Sequence, residues 1–384
     1  MVGGRTGYFT LARYLNDGSL DPSFGSGGIV RTPEFPDEVA ALTLGSDGSI
    51  VIAGYECCAF VKVFILARYL GDGSLDPSFG DGGVVRTPVS SPSSHRGEPY
   101  ALALLPDGRI AAGGLSEVGD PLTMVFTLAQ YLNDGSLDPS FGTGGIVQTP
   151  IGAGSSGILA LALQSDGSLV AGGFSVITDH YAFGLARYLG DGSLDPSFGT
   201  AGIVQTDVGP SGLTTVHSLA LQPDGAIVAG GNSGSFDGEV FTLTRYFSDG
   251  TLDLSFGASG IVQTPIGDSA IISSIALQPD GSIVAGGGSG AQFLTPKGFT
   301  LARYLGDGSL DPSFGLGGIV VTPIDQYAHL YSLALQPDGK IVAAGDDGSI
   351  GNYVNLARYI GAPDSSTAPG GAAAASSRLV SRPR

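Results

Sequence analysis

The sequence predicts an all-β fold, a β-propeller of six four-stranded blades. Three observations predict it. One block of motifs recurs through residues 1 to 360, no apolar pattern with a period of 3.6 appears there, and Gly and Pro return at fixed places as turn punctuation. Helical solenoids and α/β folds are excluded by the second observation.

The third strand of the unit is the easiest to find. Leu11-Ala-Arg-Tyr-Leu15 recurs, sometimes altered, from Leu66, Leu128, Leu185, Leu243, Leu301 and Leu356, at spacings of 55, 62, 57, 58, 58 and 55 residues. A period near 57 suits a four-stranded blade with generous loops. The last copy shows the order of elements. Leu330-Tyr-Ser-Leu-Ala-Leu-Gln336 alternates larger apolar with small or polar residues, Pro337-Asp-Gly339 turns the chain, and Lys340-Ile-Val-Ala-Ala-Gly345 is a short β-branched second strand. After a variable loop, Tyr353 to Ile360 is the third strand. In complete copies a fixed loop follows, as in Asp307-Gly-Ser-Leu-Asp-Pro-Ser-Phe-Gly315, and Gly318-Ile-Val-Val-Thr-Pro323 is the fourth strand. Such a meander cannot bury both faces alone, so the units stack, and a closed ring protects the terminal faces without caps.

The blade number follows from counting strands. There are six copies of the first, second and fourth strands and seven of the third, because the chain opens at Met1-Val-Gly-Gly4, which resembles the tail of a second strand. Strand exchange between the N- and C-termini is expected to close the ring, with Gly28 to Pro33 supplying the fourth strand of the last blade. Tyr8 to Leu15 is then surplus. The alternative is a seven-bladed propeller truncated at its N-terminus, and an opening inside a repeat is also what a fragment of a larger repeat protein would show. Residues 1–360 are read as the propeller. Residues 361–384, rich in Ala, Ser, Pro and Gly, are read as a disordered tail.

The strings Leu-Ala-Leu-Gln-Pro-Asp-Gly-Lys-Ile-Val, Leu-Ala-Arg-Tyr-Leu and Asp-Gly-Ser-Leu-Asp-Pro-Ser-Phe-Gly together resemble the delta-60 repeat, a bacterial β-propeller family of unknown function. The resemblance covers residues 1 to 360 and implies the fold. It also implies a secreted or cell-envelope location, although no export signal opens this sequence. It brings no catalytic residues.

Composition narrows the partners. A net charge of −18 opposes nucleic acid and anionic lipid surfaces, and favours cationic or neutral partners. No apolar run approaches the length of a spanning helix. Cys57 and Cys58 are the only cysteines, and two adjacent thiols make no disulfide framework.

The repeated polar residues are expected to be structural. Asp17, Ser19 and Asp21 alternate like the start of a calcium loop, but Pro22 stands where such a loop needs its Gly and no terminal Glu follows. The expectation is turn chemistry, with no cofactor. Phe24, Phe79, Phe141, Phe198, Phe256 and Phe314 are expected between blades. Arg13, Arg68, Arg187, Arg245, Arg303 and Arg358, with Gln130 in the remaining copy, are expected to pair with loop aspartates. Of 35 acidic residues, 18 belong to these repeated turns. All of those turns fall at one end of the sheets, and every loop that varies in length falls at the other.

Function is therefore sought at the variable end, where loops are free to differ. The candidate binding residues there are Asp179, His180, Tyr181, Asp237, Glu239, His95, Glu98, Asp325 and His329, with Asp179 and His180 the most site-like pair. No triad, metal cluster or phosphate loop is legible, and the Gly-Gly pairs precede no helix. These features point to a non-enzymatic scaffold or binding module that presents variable loops to a protein or glycan. The alternative from another class is a carbohydrate-active hydrolase or lyase with convergent carboxylates.

Overall fold

The computed structural model describes residues 8–33, 38–55, 63–90, 96–119, 121–209, 212–235, 238–291, 295–324, 328–346 and 354–360. These hold twenty-five strands and no helix. Met1-Val-Gly-Gly4, Cys57, Cys58 and the segment 361–384 lie outside the described residues.

The first sheet has two strands, β1 (Tyr8–Ala12) and β2 (Ile29–Pro33). Five four-stranded antiparallel meanders follow. Blade A contains β3 (Glu38–Leu44), β4 (Ile50–Tyr55), β5 (Phe64–Tyr69) and β6 (Val84–Thr87). Blade B contains β7 (Gly97–Leu104), β8 (Ile110–Val118), β9 (Thr123–Tyr131) and β10 (Ile146–Thr149). Blade C contains β11 (Gly157–Leu163), β12 (Leu169–Ile177), β13 (His180–Tyr188) and β14 (Ile203–Thr206). Blade D contains β15 (Thr215–Leu221), β16 (Ile227–Ser233), β17 (Val240–Tyr246) and β18 (Ile261–Thr264). Blade E contains β19 (Ser269–Leu277), β20 (Ile283–Ala291), β21 (Thr295–Tyr304) and β22 (Ile319–Thr322). The sixth blade, F, shows three strands among the described residues, β23 (His329–Leu335), β24 (Ile341–Asp346) and β25 (Val354–Tyr359). This is the all-β propeller blade architecture that the repeat predicts. The chain divides into two compact units, one running through Ala171 and also taking Tyr188–Ser193, the other beginning at Gly172.

One pairing differs from the expected closure. Strand β2 pairs with β1, from Tyr8 opposite Pro33 to Ala12 opposite Ile29, so Tyr8–Ala12 is not surplus. The reason is local. The loop between these strands carries the same contacts as the third-to-fourth loops of blades A, C, D and E, with Arg13 N donating to Gly28 O at 3.0 Å and Arg13 Nε to Asp21 Oδ2 at 2.8 Å. Closing so short a loop costs far less entropy than recruiting β2 to the other end of the chain.

The same loop joins successive blades within each unit. Its Arg lies along a buried Phe, with the guanidinium carbon 4.8 Å from the Phe24 ring centre for Arg13 and 4.7 Å from the Phe79 ring centre for Arg68. Each Arg also donates to its loop Asp, as Arg68 Nε does to Asp76 Oδ2 at 2.7 Å and Arg245 Nε to Asp253 Oδ2 at 2.7 Å. The amide after the Phe crosses to the next blade, from Gly25 to Asp72 O at 2.8 Å in one unit and from Gly257 to Asp307 O at 2.8 Å in the other. The Gly that follows each such Asp lies against the neighbouring Phe: a Cβ on Gly73, already at φ +91°, would sit 3.0 Å from the Phe24 ring. A buried Tyr–Thr hydrogen bond adds a second tie, as between Tyr131 and Thr87 or Tyr304 and Thr264. The expected inter-blade Phe and Arg–Asp roles are met at Arg13, Arg68, Arg187, Arg245 and Arg303.

Blade B breaks the pattern and repairs it. Gln130 replaces the Arg, and Arg109, from the first-to-second turn, reaches across to Gln130 Oε1 and Asp138 Oδ2, both at 3.0 Å. The contact also places both repeated turns at one end of the sheet.

The Gly-Gly pairs of the second strands have a packing role. In blades A, B, D, E and F the first strand carries a one-residue bulge, at Ala40, Tyr100, His217, Ser273 and Tyr331. The bulge drives backbone onto the facing Gly, so that a Cβ on Gly231 would lie 1.8 Å from Thr215 O.

Substitutions should separate these packing roles. Gly231→Ala should cost on the order of 3 kcal/mol in denaturant unfolding, whereas Gly281→Ala, in an open turn at φ +86°, should cost only about 1 kcal/mol. Arg109→Ala should lower stability by about 2 kcal/mol by stripping the cation from buried Asp138, and the pair Arg109→Ser with Gln130→Arg should restore it. Failure of the pair to recover would show that Arg109 does not stand in for the missing Arg.

Candidate functional site

The repeated carboxylates at the invariant end serve turns. Asp17 Oδ1 accepts from Ser19 N at 2.9 Å and Ser19 Oγ at 2.6 Å, and Asp21 Oδ1 accepts from Ser23 N at 2.9 Å and Ser23 Oγ at 2.7 Å. These serine bonds are the main reason that both carboxyls are held below the usual aspartate value. The pattern repeats with Asp72, Asp134, Asp191, Asp249 and Asp307.

The variable end differs from blade to blade at the same register positions. The bulged residue is Ala, Tyr, His, Ser or Tyr, and beside it stands one cross-strand pair: Glu38 with Tyr55, Glu98 with Leu115, Thr215 with Asn232, Ile271 with Gly288, and His329 with Asp346. A bulge re-aims its side chain, and the remaining residues of the strand stay bound to the core. These three positions, with the loops that vary beside them, carry blade-specific chemistry.

Asp179 and His180 sit at the tight turn between β12 and β13, where Thr178 takes φ +55°. The imidazole lies between two carboxylates, with Nδ1 3.1 Å from Asp179 Oδ1 and Nε2 3.3 Å from Asp207 Oδ2. The bond to Asp179 chiefly, and the charge of Asp207, raise the His180 pKa above its ordinary 6.5. Tyr181 meets Phe174 edge to face at 5.9 Å. Asp207 was not among the sequence candidates; it stands where other copies of the fourth strand carry Pro.

The other candidates join separate clusters. Glu98 is buried and accepts from the Tyr100 hydroxyl, and Tyr100 packs edge to face on Tyr55 at 6.3 Å. Glu239 is buried with Asn232, whose Nδ2 donates to Glu239 Oε1 at 2.8 Å. His329 stacks on Tyr331 at 6.0 Å, with its Nδ1 3.4 Å from Asp346 Oδ1, and the Tyr331 hydroxyl donates to Asp346 Oδ2 at 3.1 Å. His95, Asp237 and Asp325 lie outside the described residues. Sequence reasoning missed Tyr100, His217, Asn232 and Tyr331, which belong to strands and not to loops. Aligning the repeats in register exposes the bulge column, which reads Ala40, Tyr100, His217, Ser273 and Tyr331.

Among the described residues, no three His, Cys, Asp or Glu side chains group as a metal site, and no helix is long and apolar enough to cross a membrane.

The repeat itself decides the kinship. A family model described as a domain of unknown function (DUF5122) beta-propeller matches seven times, at residues 2–24, 45–79, 105–141, 164–198, 222–256, 278–314 and 336–359. The chain belongs to the DUF5122 beta-propeller family. In most copies the matches to the DUF5122 repeat run from the first turn to the loop Phe. No curated protein matches this DUF5122 chain in sequence. Among solved structures, the polysaccharide lyase Uly1 is similar with a TM-score of 0.51 at 9% identity, over 92% of this chain and 84% of the lyase. Sqt1 from Chaetomium thermophilum gives 0.44 at 15% identity, over 92% and 77% of the two chains. The beta-propeller domain of the Trilobed protease from Pyrococcus furiosus gives 0.39 at 11%, over 84% and 82%. At these identities the likeness to Uly1 is one of fold.

The His180 geometry fixes a pH dependence. A folded-state pKa above 6.5 means that the ion pairs stabilise the fold fully below about pH 6.5, and that this contribution is lost as pH rises through the folded value. Titration by NMR should show His180 above 6.5, and Asp179→Asn should lower its midpoint more than Asp207→Asn. A midpoint unmoved by either change would show that the carboxylates do not hold the proton.

Proposed function

We propose that this DUF5122 propeller is a non-enzymatic scaffold or binding module that presents the variable ends of its blades to a protein or glycan, at the cell envelope or outside the cell. The observation that carries this reading is the division of labour within each blade. At one end, repeated Asp, Ser, Arg and Phe residues are committed to turns and inter-blade ties, nearly identical from copy to copy. At the other, one bulge and one cross-strand pair change chemistry between blades while the packing beneath them stays constant. A surface that varies on a constant frame is how binding specificity is built on repeat scaffolds. The secreted or envelope setting, and a bacterial source, rest on the delta-60 resemblance.

A binding role also suits the state of His180. Two carboxylates favour its cationic form, and in that form the Asp179–His180–Asp207 group presents hydrogen-bonding atoms and no base.

Retention tests the reading. The immobilised protein should hold a component of bacterial envelope protein or polysaccharide fractions, and the triple change Asp179→Asn, His180→Ala and Tyr181→Ser should release it. Changing Ser19, Ser74 and Ser136 to Ala at the invariant end should leave retention intact. Equal retention by both variants, or none by the parent protein, would sink the proposal.

A further inference from the structure

Blade C differs from the other copies where its fourth strand ends. That strand runs into Pro at Pro33, Pro88, Pro150, Pro265 and Pro323, and blade C alone places an Asp, Asp207, after the shared Thr. A proline stiffens the exit through its fixed φ. An Asp gives up that stiffness and supplies a charge. Asp207 is firmly seated all the same. Its Oδ1 accepts from Gly209 N at 3.0 Å, Val208 beside it is 3% exposed, and Val208 O accepts from Gln263 Nε2 of β18 at 2.7 Å.

The hairpin that meets Asp207 has no such support at its tip. Val176, Ile177 and Tyr181 are half-buried, and Thr178 and Asp179 between them are exposed. Thr178 holds φ +55°, a left-handed backbone that a β-branched residue adopts at a cost. The charged groups facing the His180 imidazole are Asp179, from its own turn, and Asp207, from the exit of β14. Tyr181, next on β13, packs on Phe174. The two ring contacts are unlike. Nδ1 lies in hydrogen-bonding geometry 3.1 Å from Asp179 Oδ1, whereas Nε2, 3.3 Å from Asp207 Oδ2, makes no directed hydrogen bond among the described residues. The second contact is therefore one of charge, and it lasts while the ring is cationic.

We propose that His180 is a pH-operated latch, which holds the tip of the β12–β13 hairpin on Asp207 while the imidazole carries two protons and releases it when one is lost. The proton that leaves for solvent is the one on Nε2, because Nδ1 keeps its bond to Asp179. The Nε2 lone pair then faces a carboxylate oxygen, and attraction gives way to repulsion. Val208 and Gln263 anchor Asp207, so the tip is the part that moves, and its movement ends at Ala182 and Phe183, which are fully buried. The bond to Asp179 chiefly, and the charge of Asp207, keep the ring cationic to a pH above 6.5. The latch is thus closed in acid and opens as pH rises through the folded value. It moves Asp179, His180 and Tyr181 together, whether or not those residues meet a ligand.

The test follows the full chain by NMR from about pH 5 to about pH 9, at constant ionic strength. Backbone order parameters of Thr178 and Tyr181 should fall from about 0.85 to below about 0.6, with one midpoint that matches the His180 ring titration. Those of Val208 and Gly209 should stay constant. Nitrogen shifts should place the remaining ring proton on Nδ1. Asp207→Pro, which restores the residue of the other blades, should leave the tip at its high-pH values throughout. Asp207→Asn, which keeps an acceptor for Gly209 and removes only the charge, should do the same, and thermal unfolding confirms that each variant folds. A tip that ignores pH, a response that survives both Asp207 changes, or a neutral ring protonated on Nε2 would each overturn the latch. Envelope retention is read separately. A tip that ignores pH beside intact retention removes the latch alone, and a titrating tip without retention supports the latch while the binding reading falls.

Discussion

The fold depends on one contact group, the Arg, Asp and Phe of the third-to-fourth loop together with the amide that crosses to the next blade. A guanidinium set over a buried aromatic ring and bonded to a carboxylate satisfies a charge that would otherwise be costly to bury. The same loop turns the chain through two Asx-type turns and hands the Gly257 amide to the Asp307 carbonyl of the following blade. Turn geometry, charge satisfaction and blade stacking are therefore a single constraint. That is why the loop hardly changes through the chain. Where it does change, at Gln130, a cation returns from another turn in Arg109.

The hairpin at the other end follows a second constraint. A bulge needs backbone to approach the facing strand closely, and only Gly allows it, so Gly231, Gly287 and Gly345 stand opposite the bulged strands of their blades. Once Gly supplies the room, the bulged side chain answers to no packing partner in common with its counterparts. Ala40, Tyr100, His217, Ser273 and Tyr331 occupy one register position in five blades. A frame with permissive positions at the bulge of five blades can diversify without refolding, which is the physical basis of the proposed binding role.

Much of this was legible in the residues themselves. The repeat of Leu-Ala-Arg-Tyr-Leu, the Asp-Gly turns and the loop Phe predicted the meander and the inter-blade aromatic core, because these features answer to local rules of turn chemistry and strand alternation. The assignment of the varying and constant loops to opposite ends followed from antiparallel connectivity. The candidate site was legible only in part. Asp179 and His180 stand out as neighbours in a loop, but Asp207 follows a different strand and joins them only through the pairing of β13 with β14. His217 and Asn232 look like ordinary strand residues, fifteen positions apart.

The sequence by itself determined the blade, since its periodicity, turn residues and repeated charges are local and leave few alternatives. Only the tertiary structure decided that β2 pairs with β1, since partner choice among near-identical strands depends on which loop is short enough to close. It also decided that a one-residue bulge gathers the varying side chains into discrete polar clusters. A bulge is a property of two strands in register, and no single strand carries its signature.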